Sequence, residues 1–147
     1  MLSVYPAVFY KENNGYSVIF PDLNYLSTCG ETVDEAVSMA VDCLAGHLFW
    51  LQQEGEAIPS PSDITSINPV NIAKELDFQY EAKETFVNMV SVDVIQYAKI
   101  HFEKSVKKTL TIPAWLNKAA LEQNINFSQV LQNALMDILV VPTKSVR

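Results

Sequence analysis

The sequence predicts an α+β fold in two modules. Residues 2–10 and 16–21 are rich in Val, Tyr and Phe and flank Asn14-Gly15, a pair typical of hairpin turns. A helix with a clear amino-terminal cap begins near residue 32, so a helix packed on a sheet is expected. The third observation is a change of charge along the chain.

The 147 residues carry a net charge of −7, which is unevenly distributed. Residues 1–100 have four basic and 14 acidic side chains, whereas residues 101–147 have six basic and three acidic ones. This asymmetry indicates two modules with opposite electrostatic tasks, and we place them at 1–103 and 104–147. With 49% hydrophobic residues, the chain can bury a core.

The hairpin strands have apolar residues at alternate and intervening positions, so we expect both faces of the sheet to be covered. Pro6 cannot donate to a strand ladder, which predicts a free side or a bulge there. A short third strand is expected over Leu26–Cys29.

Thr32-Val33-Asp34-Glu35 has the form of a capping box, in which the Thr32 hydroxyl accepts from the Glu35 amide and the Glu35 carboxylate reaches back to the Thr32 amide. We expect the helix to end before Gly55. Its predicted apolar stripe, spaced by threes and fours, consists of Val33, Val37, Ala40, Val41, Leu44, Leu48 and Leu51.

Residues 56–85 show little regular pattern and include Pro59-Ser60-Pro61, so they predict a functional loop or a mobile, cleavable arm. Residues 86–94 predict another strand, and a short helix is expected around Val94–His101.

The second module predicts a strand at Val106–Pro113 and a helix at Ala114–Gln123. A last helix, capped by Asn126 and stopped by Pro142, follows. About 40 residues cannot form a sufficient core alone, so this unit should dimerise through paired strands. We assign four apolar residues to the dimer interface: Leu110, Ile112, Leu131 and Leu135.

Lys107, Thr109 and Thr111 point the opposite way from Leu110 and Ile112 in such a strand. Two antiparallel copies would present six of these side chains on a ribbon that fits the major groove of DNA. The amides of Asn126, Phe127 and Ser128 at the start of the last helix suit a phosphate.

Residues Val106–Val141 resemble a ribbon-helix-helix DNA-binding domain. The resemblance implies that Lys107, Thr109 and Thr111 read bases and that the amides of Asn126–Ser128 clamp phosphates. Such ribbons often carry Arg, Asn or Gln, so the two threonines imply weaker base reading. A helical hairpin that serves dimerisation only is the alternative.

The first module resembles HicB-like antitoxins, which join a partial ribonuclease H-like module to a terminal DNA-binding domain. The first matching segments are Tyr5-Pro6-Ala7, Gly15-Tyr16-Ser17-Val18, Phe20-Pro21-Asp22-Leu23, Gly30-Glu31-Thr32 and Glu35-Ala36. Ile58–Ser62 and Met89–Val94 also fit the family. At Asn24-Tyr25 many members have Pro-Gly, a difference that affects a turn more than the fold.

This resemblance implies an antitoxin that covers the active site of a small mRNA-cleaving, HicA-like toxin and represses its own operon at operator DNA. An RNA-cutting toxin should be basic, and the acidic first module would attract it. Candidate toxin contacts are Tyr25, Trp50 and the arm Pro59–Ile67, including Pro59 and Pro61, because an aromatic residue at a loop tip often anchors an interface. Trp50 lies near the predicted helix end and fits core packing equally well. We expect a homodimer or a higher even oligomer.

Enzyme activity is not expected, because the first strand lacks an acid and the acids elsewhere fit capping or solvated roles. His47 and His101 fit packing better than metal ligation, and no nucleotide-binding or acyl-transfer motif is present. We therefore expect no metal and no cofactor. A residual nuclease dependent on Asp22 or Asp93 is the remaining catalytic alternative.

A second alternative is a stand-alone ribbon-helix-helix repressor whose first module senses a ligand. Cys29 and Cys43 lie 14 residues apart with no CxxC pair, which favours reduced cysteines. With no signal peptide and no apolar run of about 18 residues, a cytoplasmic protein without a membrane span is expected.

Overall fold

The computed structural model describes residues 1–139, so Pro142, predicted to end the last helix, lies outside the described residues. The chain divides into two compact units, Met1–Lys104 and Ser105–Arg147. The strands are β1 (Ser3–Glu12), β2 (Gly15–Phe20), β3 (Leu26–Gly30) and β4 (Glu81–Val92). The α-helices are α1 (Val33–Glu54), α2 (Pro69–Leu76), α3 (Val94–His101), α4 (Ala114–Glu122) and α5 (Phe127–Leu139).

The first unit is built on an antiparallel sheet with the strand order β3-β2-β1-β4. The hairpin turn, predicted within residues 11–15, consists of Asn13 and Asn14, and Gly15 begins β2 with a φ of 119°. β2 pairs with β1 only from Val8 onward, so Pro6 has β4 on one side and no strand on the other. The free side expected at Pro6 is therefore confirmed.

Both faces of the sheet are largely covered, as predicted. On one face α1 and α3 pack over the core formed around Phe9, Val18 and Phe20. On the other face α2 contributes Ile72 and Ala73, which pack against a smaller cluster around Tyr10. The two faces therefore carry separate apolar cores that share β1.

The capping box of α1 differs from the prediction in one bond. The Thr32 hydroxyl accepts from the Glu35 amide at 3.2 Å, as expected, but the Glu35 carboxylate accepts from the Glu31 amide at 2.7 Å rather than from that of Thr32. The helix ends at Gly55, whose φ of 69° is the left-handed conformation that favours glycine at such a cap.

The predicted apolar stripe of α1 is wrong at its first turn. Val33 and Val37 are about 40% exposed (41% and 38%), and Ala36 is fully buried instead. The reason is a close approach between β3 and α1, because a Cβ on Gly30 would lie 2.4 Å from the Ala36 amide nitrogen. Only a small side chain fits the helix at this contact.

Residues 56–85 are more ordered in structure than the sequence predicted. They contain a short 3₁₀ turn at Ile64–Ser66, the helix α2 and the start of β4, which begins at Glu81 rather than at residue 86. The Asn68 side chain caps α2 by accepting from the Val70 and Asn71 amides. This segment, for which the sequence left a functional loop and a mobile arm open, is a connection that carries its own helix.

We define residues 56–68 as the strap, because they connect α1 on one face of the sheet to α2 on the other. The Tyr5 hydroxyl donates to the Pro59 carbonyl at 2.5 Å, and the Tyr10 hydroxyl donates to the Pro69 carbonyl, just past the strap, at 2.7 Å. Ser62 donates to the Asp22 carboxylate through its amide at 2.8 Å and its hydroxyl at 2.6 Å. These bonds anchor the strap along its length.

The helix α3 spans Val94–His101, as predicted, and Asp93 caps it by accepting from the Gln96 amide at 3.0 Å. The amino-terminal ammonium of Met1 donates to the same carboxylate at 2.9 Å. The Gln96 amide and the terminal ammonium lower the pKa of Asp93, because both stabilise its charged form. The start of the chain is thereby held beside the end of β4.

The described part of the second unit, residues 105–139, has two helices, but its predicted strand is not formed in the single chain. Residues 104–113 have no regular hydrogen-bonded structure, and α4 begins at Ala114 directly after Pro113. A strand requires a neighbouring strand to bond its backbone, and the described part of this unit provides none. Neither α4 nor α5 contains a buried residue.

The contact between Gly30 and α1 predicts that Gly30→Ala lowers the free energy of unfolding by about 2–3 kcal/mol, because backbone rather than a flexible side chain must move. Urea denaturation followed by circular dichroism measures this change. Gly46→Ala is the matched control, since its Cβ would meet Phe102 at 3.8 Å, an ordinary contact. The control should stabilise α1 by about 0.5–1 kcal/mol, and an equal loss in both variants would contradict the account.

Candidate functional site

The predicted ribbon residues Lys107, Thr109 and Thr111 are all exposed in the second unit. The residues assigned to the dimer interface are also accessible in the single chain: Leu110 is 63% exposed and Leu135 is 47% exposed, while Leu131 is half-buried. Ile112 is exposed as well. The assignment of these four residues to a dimer interface stays a prediction.

The start of α5 matches the predicted cap. The Asn126 side chain accepts from the Gln129 amide at 3.1 Å, and the helix begins at Phe127. Phe127 and Ser128 are exposed there, in the first turn. The end of α5 that carries the partial positive charge of the helix dipole is thus accessible in this unit.

Tyr25 lies on the α2 side of the sheet. Its hydroxyl donates to the carboxylate of Glu75 on α2, and its ring packs against the cluster around Tyr10. Asn24 and Tyr25 both have left-handed backbones, with φ values of 54° and 57°. This conformation, which is costly for a tyrosine, directs the side chain onto α2.

Trp50 lies on α1, and therefore on the opposite side of the sheet from Tyr25. It is 53% exposed, and its ring centroid is 6.2 Å from that of His47. The structure thus does not bring these two candidate toxin contacts together. One compact partner contacting a single face of the sheet would meet only one of them.

Pro59 and Pro61 are exposed residues of the strap. Pro59 accepts the bond from Tyr5, and Pro61 precedes the residue that binds Asp22. Burial raises the pKa of Tyr5, and the nearby Asp22 carboxylate raises it further, so this hydroxyl remains a donor at neutral pH. Both prolines therefore lie at or next to a hydrogen bond that holds the strap.

A cleft that the sequence did not predict lies on the α2 side of the sheet, over β2 and β3. Its volume is about 420 Å³. Its lining residues are Glu12, Ser17, Ile19, Ser27, Thr28, Cys29 and Phe78. A second cleft of about 390 Å³ shares Glu12 and is also lined by Asn13, Asn14, Gln79, Tyr80 and Glu81. We refer to the two together as the acidic cleft.

The strand register brings the floor of the acidic cleft together. Ser17 pairs with Cys29, and Ile19 pairs with Ser27, so these four side chains share one face of β2 and β3. The sequence predicts which side chains within each strand share a face. It does not predict how β2 and β3 pair, nor where Phe78 lies relative to them.

Asp22 and Asp93, the carboxylates of the catalytic alternative, and two further carboxylates of the first unit each have a structural partner. Asp22 binds the strap, Asp93 caps α3, Glu35 accepts from the Glu31 amide, and Asp42 accepts from the Tyr97 hydroxyl at 3.2 Å. Within residues 1–139, no group of three or more His, Cys, Asp or Glu residues is arranged to hold a metal ion. In the same part of the chain, no helix has the length and apolar character needed to cross a membrane.

Comparison with protein families gives one decisive match. Residues 5–135 match the model of the HicB-like antitoxins of bacterial toxin–antitoxin systems. The chain belongs to the HicB-like antitoxin family. This match extends across both units, and it confirms the family to which the sequence segments pointed.

Among individual proteins, this HicB-like chain is 38% identical to a chain of a toxin–antitoxin complex from Streptococcus pneumoniae. That match has a TM-score of 0.62 and covers 93% of this chain and 99% of the other. Antitoxin HicB 2 of Photorhabdus laumondii is 36% identical over 58 residues, or 40% of this chain and 42% of that antitoxin. The 14.9 kDa protein in the rep-hol intergenic region of Haemophilus phage HP1 is 28% identical over 113 residues, or 77% of this chain and 75% of that protein.

Proposed function

We propose that this HicB-like antitoxin inhibits a small, basic, HicA-like mRNA-cleaving toxin through its first unit and represses its own operon through its second unit. One observation carries the division of tasks. The first unit folds around buried cores, whereas neither α4 nor α5 of the second unit contains a buried residue. A unit built in this way needs a partner chain to bury its apolar side chains.

The distribution of charge supports the same division. Met1–Lys104 carries five basic and 15 acidic side chains, a net charge of −10, whereas Ser105–Arg147 carries five basic and two acidic ones, a net charge of +3. An acidic unit attracts a protein that binds RNA, since such a protein needs cationic side chains for the phosphates. A weakly basic dimer favours DNA, which its phosphates render strongly anionic.

In this proposal the segment around Val106–Pro113 of two chains pairs as a ribbon, and Leu110, Ile112, Leu131 and Leu135 become buried in the homodimer. Lys107, Thr109 and Thr111 then face the major groove, and the amides of Phe127 and Ser128 take a phosphate. The assembly is a dimer or a higher even oligomer in the cytoplasm. It needs no cofactor and catalyses no reaction.

The alternative of a ligand-sensing repressor receives less support, because the cleft of about 390 Å³ is lined by polar and acidic side chains apart from Tyr80. The cleft of about 420 Å³ has three apolar lining residues, Ile19, Cys29 and Phe78, beside four polar or acidic ones. Small-molecule sites are lined mainly by apolar and aromatic side chains.

The direct experiment is coexpression of the chain with its neighbouring reading frames. We expect a small basic protein to copurify, to arrest growth when expressed alone and to be harmless together with this chain. A clean preparation with no partner, from cells in which no neighbouring product is toxic, would contradict the antitoxin function.

The ribbon predicts that Lys107→Ala, Thr109→Ala and Thr111→Ala together weaken operator binding at least about 100-fold and leave toxin neutralisation unchanged. A mobility-shift assay with the DNA upstream of the coding sequence measures the first effect. Lys108→Ala, with the same loss of charge on the opposite side of the strand, should cost less than about tenfold. Specific binding retained by the triple variant would refute the assignment.

The dimer interface predicts that Leu110→Asp dissociates the homodimer, because an unpaired carboxylate buried between the chains costs about 3 kcal/mol or more. Sedimentation velocity measures the oligomeric state. Thr109→Asp places the same charge on the outward side and should leave the dimer intact. A Leu110→Asp protein that sediments as the wild-type dimer would rule out the predicted packing.

A further inference from the structure

The acidic cleft is the part of the sheet that the fold leaves uncovered. On the α2 side, Tyr10 of β1 is buried beneath α2, and aromatic rings of Phe78 and Tyr80 lie 4.7 and 4.9 Å from its own ring, centroid to centroid. Over β2 and β3 the same face carries only short side chains apart from Ile19. Phe78 lies between the covered and the uncovered part of this face and forms one wall of the cleft.

Short side chains at the floor allow another chain to approach the sheet closely. Ser17, Ser27 and Cys29 are small, and the register places them next to one another. Phe78 forms an apolar wall beside them. A long side chain with an apolar stem and a charged end, such as Lys or Arg, matches this combination of apolar wall and polar floor.

The charged side chains that line the cleft are all acidic. Glu12 lines both parts of it and Glu81 lines one, and no Lys or Arg is among the described residues that line either part. The Ser17 hydroxyl donates to the Glu12 carboxylate at 2.5 Å, which holds that carboxylate at the sheet surface. Among residues 1–139, the structure shows no Lys or Arg paired with Glu12 or Glu81 within 4 Å, so these carboxylates are not neutralised by such a pair.

We propose that the acidic cleft receives basic side chains from the RNA-binding surface of the toxin, and that Glu12 and Glu81 take positions that RNA phosphates would otherwise occupy. This inference rests on the proposed function, since it takes a toxin as the partner. A protein that binds RNA must present Lys or Arg to the phosphate backbone. Carboxylates held in a cleft bind those cations and exclude RNA in the same step.

The cleft, rather than the exposed Trp50, is therefore the docking surface. Tyr25 belongs to the same side, where its hydroxyl donates to Glu75 of α2. Trp50 lies across the sheet on α1. Of the sequence-based toxin contacts, only Tyr25 is on the face that the cleft defines.

The first test measures toxin affinity of the full-length chain with the charges of the cleft reversed. The probe is the small basic protein that copurifies with the wild-type chain. Glu12→Lys with Glu81→Lys should weaken binding about 100-fold, mainly through faster dissociation. Glu54→Lys with Glu56→Lys is the control, because it makes the same change in net charge near the end of α1 and should change the affinity less than about threefold.

The outcomes separate the inference from the proposed function. A wild-type chain that binds no neighbouring protein overturns both. A wild-type chain that binds tightly, with equal losses in the two double variants, means that only total charge matters and overturns the inference alone. Full affinity in the cleft variant overturns it as well.

The second test needs no substitution and therefore does not depend on the folding of a variant. Cys29 is exposed in the cleft, whereas burial and the Asp42 carboxylate raise the pKa of Cys43. Alkylation with iodoacetamide, followed by mass spectrometry of the two cysteine peptides, should modify Cys29 first in the free protein. Bound toxin should slow the modification of Cys29 at least about tenfold, as expected for a thiol covered by an interface. Equal rates in the free protein and the complex would contradict a toxin seated in the cleft.

Discussion

The structure of the first unit depends on the burial of β1 on both faces of the sheet. Val8, Phe9 and Tyr10 are fully buried, although neighbouring residues of a strand point to opposite faces. One helix cannot cover both faces, so the chain must place α1 on one face and α2 on the other. The strap is the connection that this arrangement requires, and Tyr5 and Tyr10 fix it from the two sides of the same strand.

The same arrangement determines which surface stays open. The helix α2 has eight residues, and its cluster buries Val8, Tyr10 and Ile19. It leaves Ser27 and Cys29 of β3 exposed. Glu12 ends β1 at the border of the uncovered area. A short second helix therefore both completes the core and leaves an acidic surface on one side of the sheet. In the second unit, the described helices α4 and α5 bury none of their apolar side chains within one chain. In the proposed homodimer a second copy covers them.

Several features were predictable from local sequence alone. The Thr32 cap, the Gly55 end of α1 and the helix at Val94–His101 follow from short-range rules of capping and periodicity, and the structure agrees with them. The strand and helix patterns and the family segments were sufficient for the overall class and for the family. Local rules failed where a distant element decides the environment.

Ala36 is buried because Gly30 of β3 lies against its backbone, a contact between residues that no helical spacing reveals. The helix α2 was missed because it is short and its Asn68-Pro69 start lies in a segment rich in turn residues. The acidic cleft combines β1, β2, β3 and Phe78, so it becomes visible only once register and packing are known. Tyr25 and Trp50 were equivalent as exposed aromatic candidates until the sheet separated them.

The central claim is that toxin inhibition belongs to the first unit and that dimerisation and DNA binding belong to the second. The most direct measurement compares the fragment Met1–Lys104 with the full chain for toxin neutralisation in cells and for operator binding in vitro. The account predicts that the folded fragment still neutralises the toxin, with some loss of affinity because the dimer is gone, and that it no longer binds the operator. A soluble, folded fragment that leaves the toxin fully active, or that still binds the operator specifically, would contradict the account.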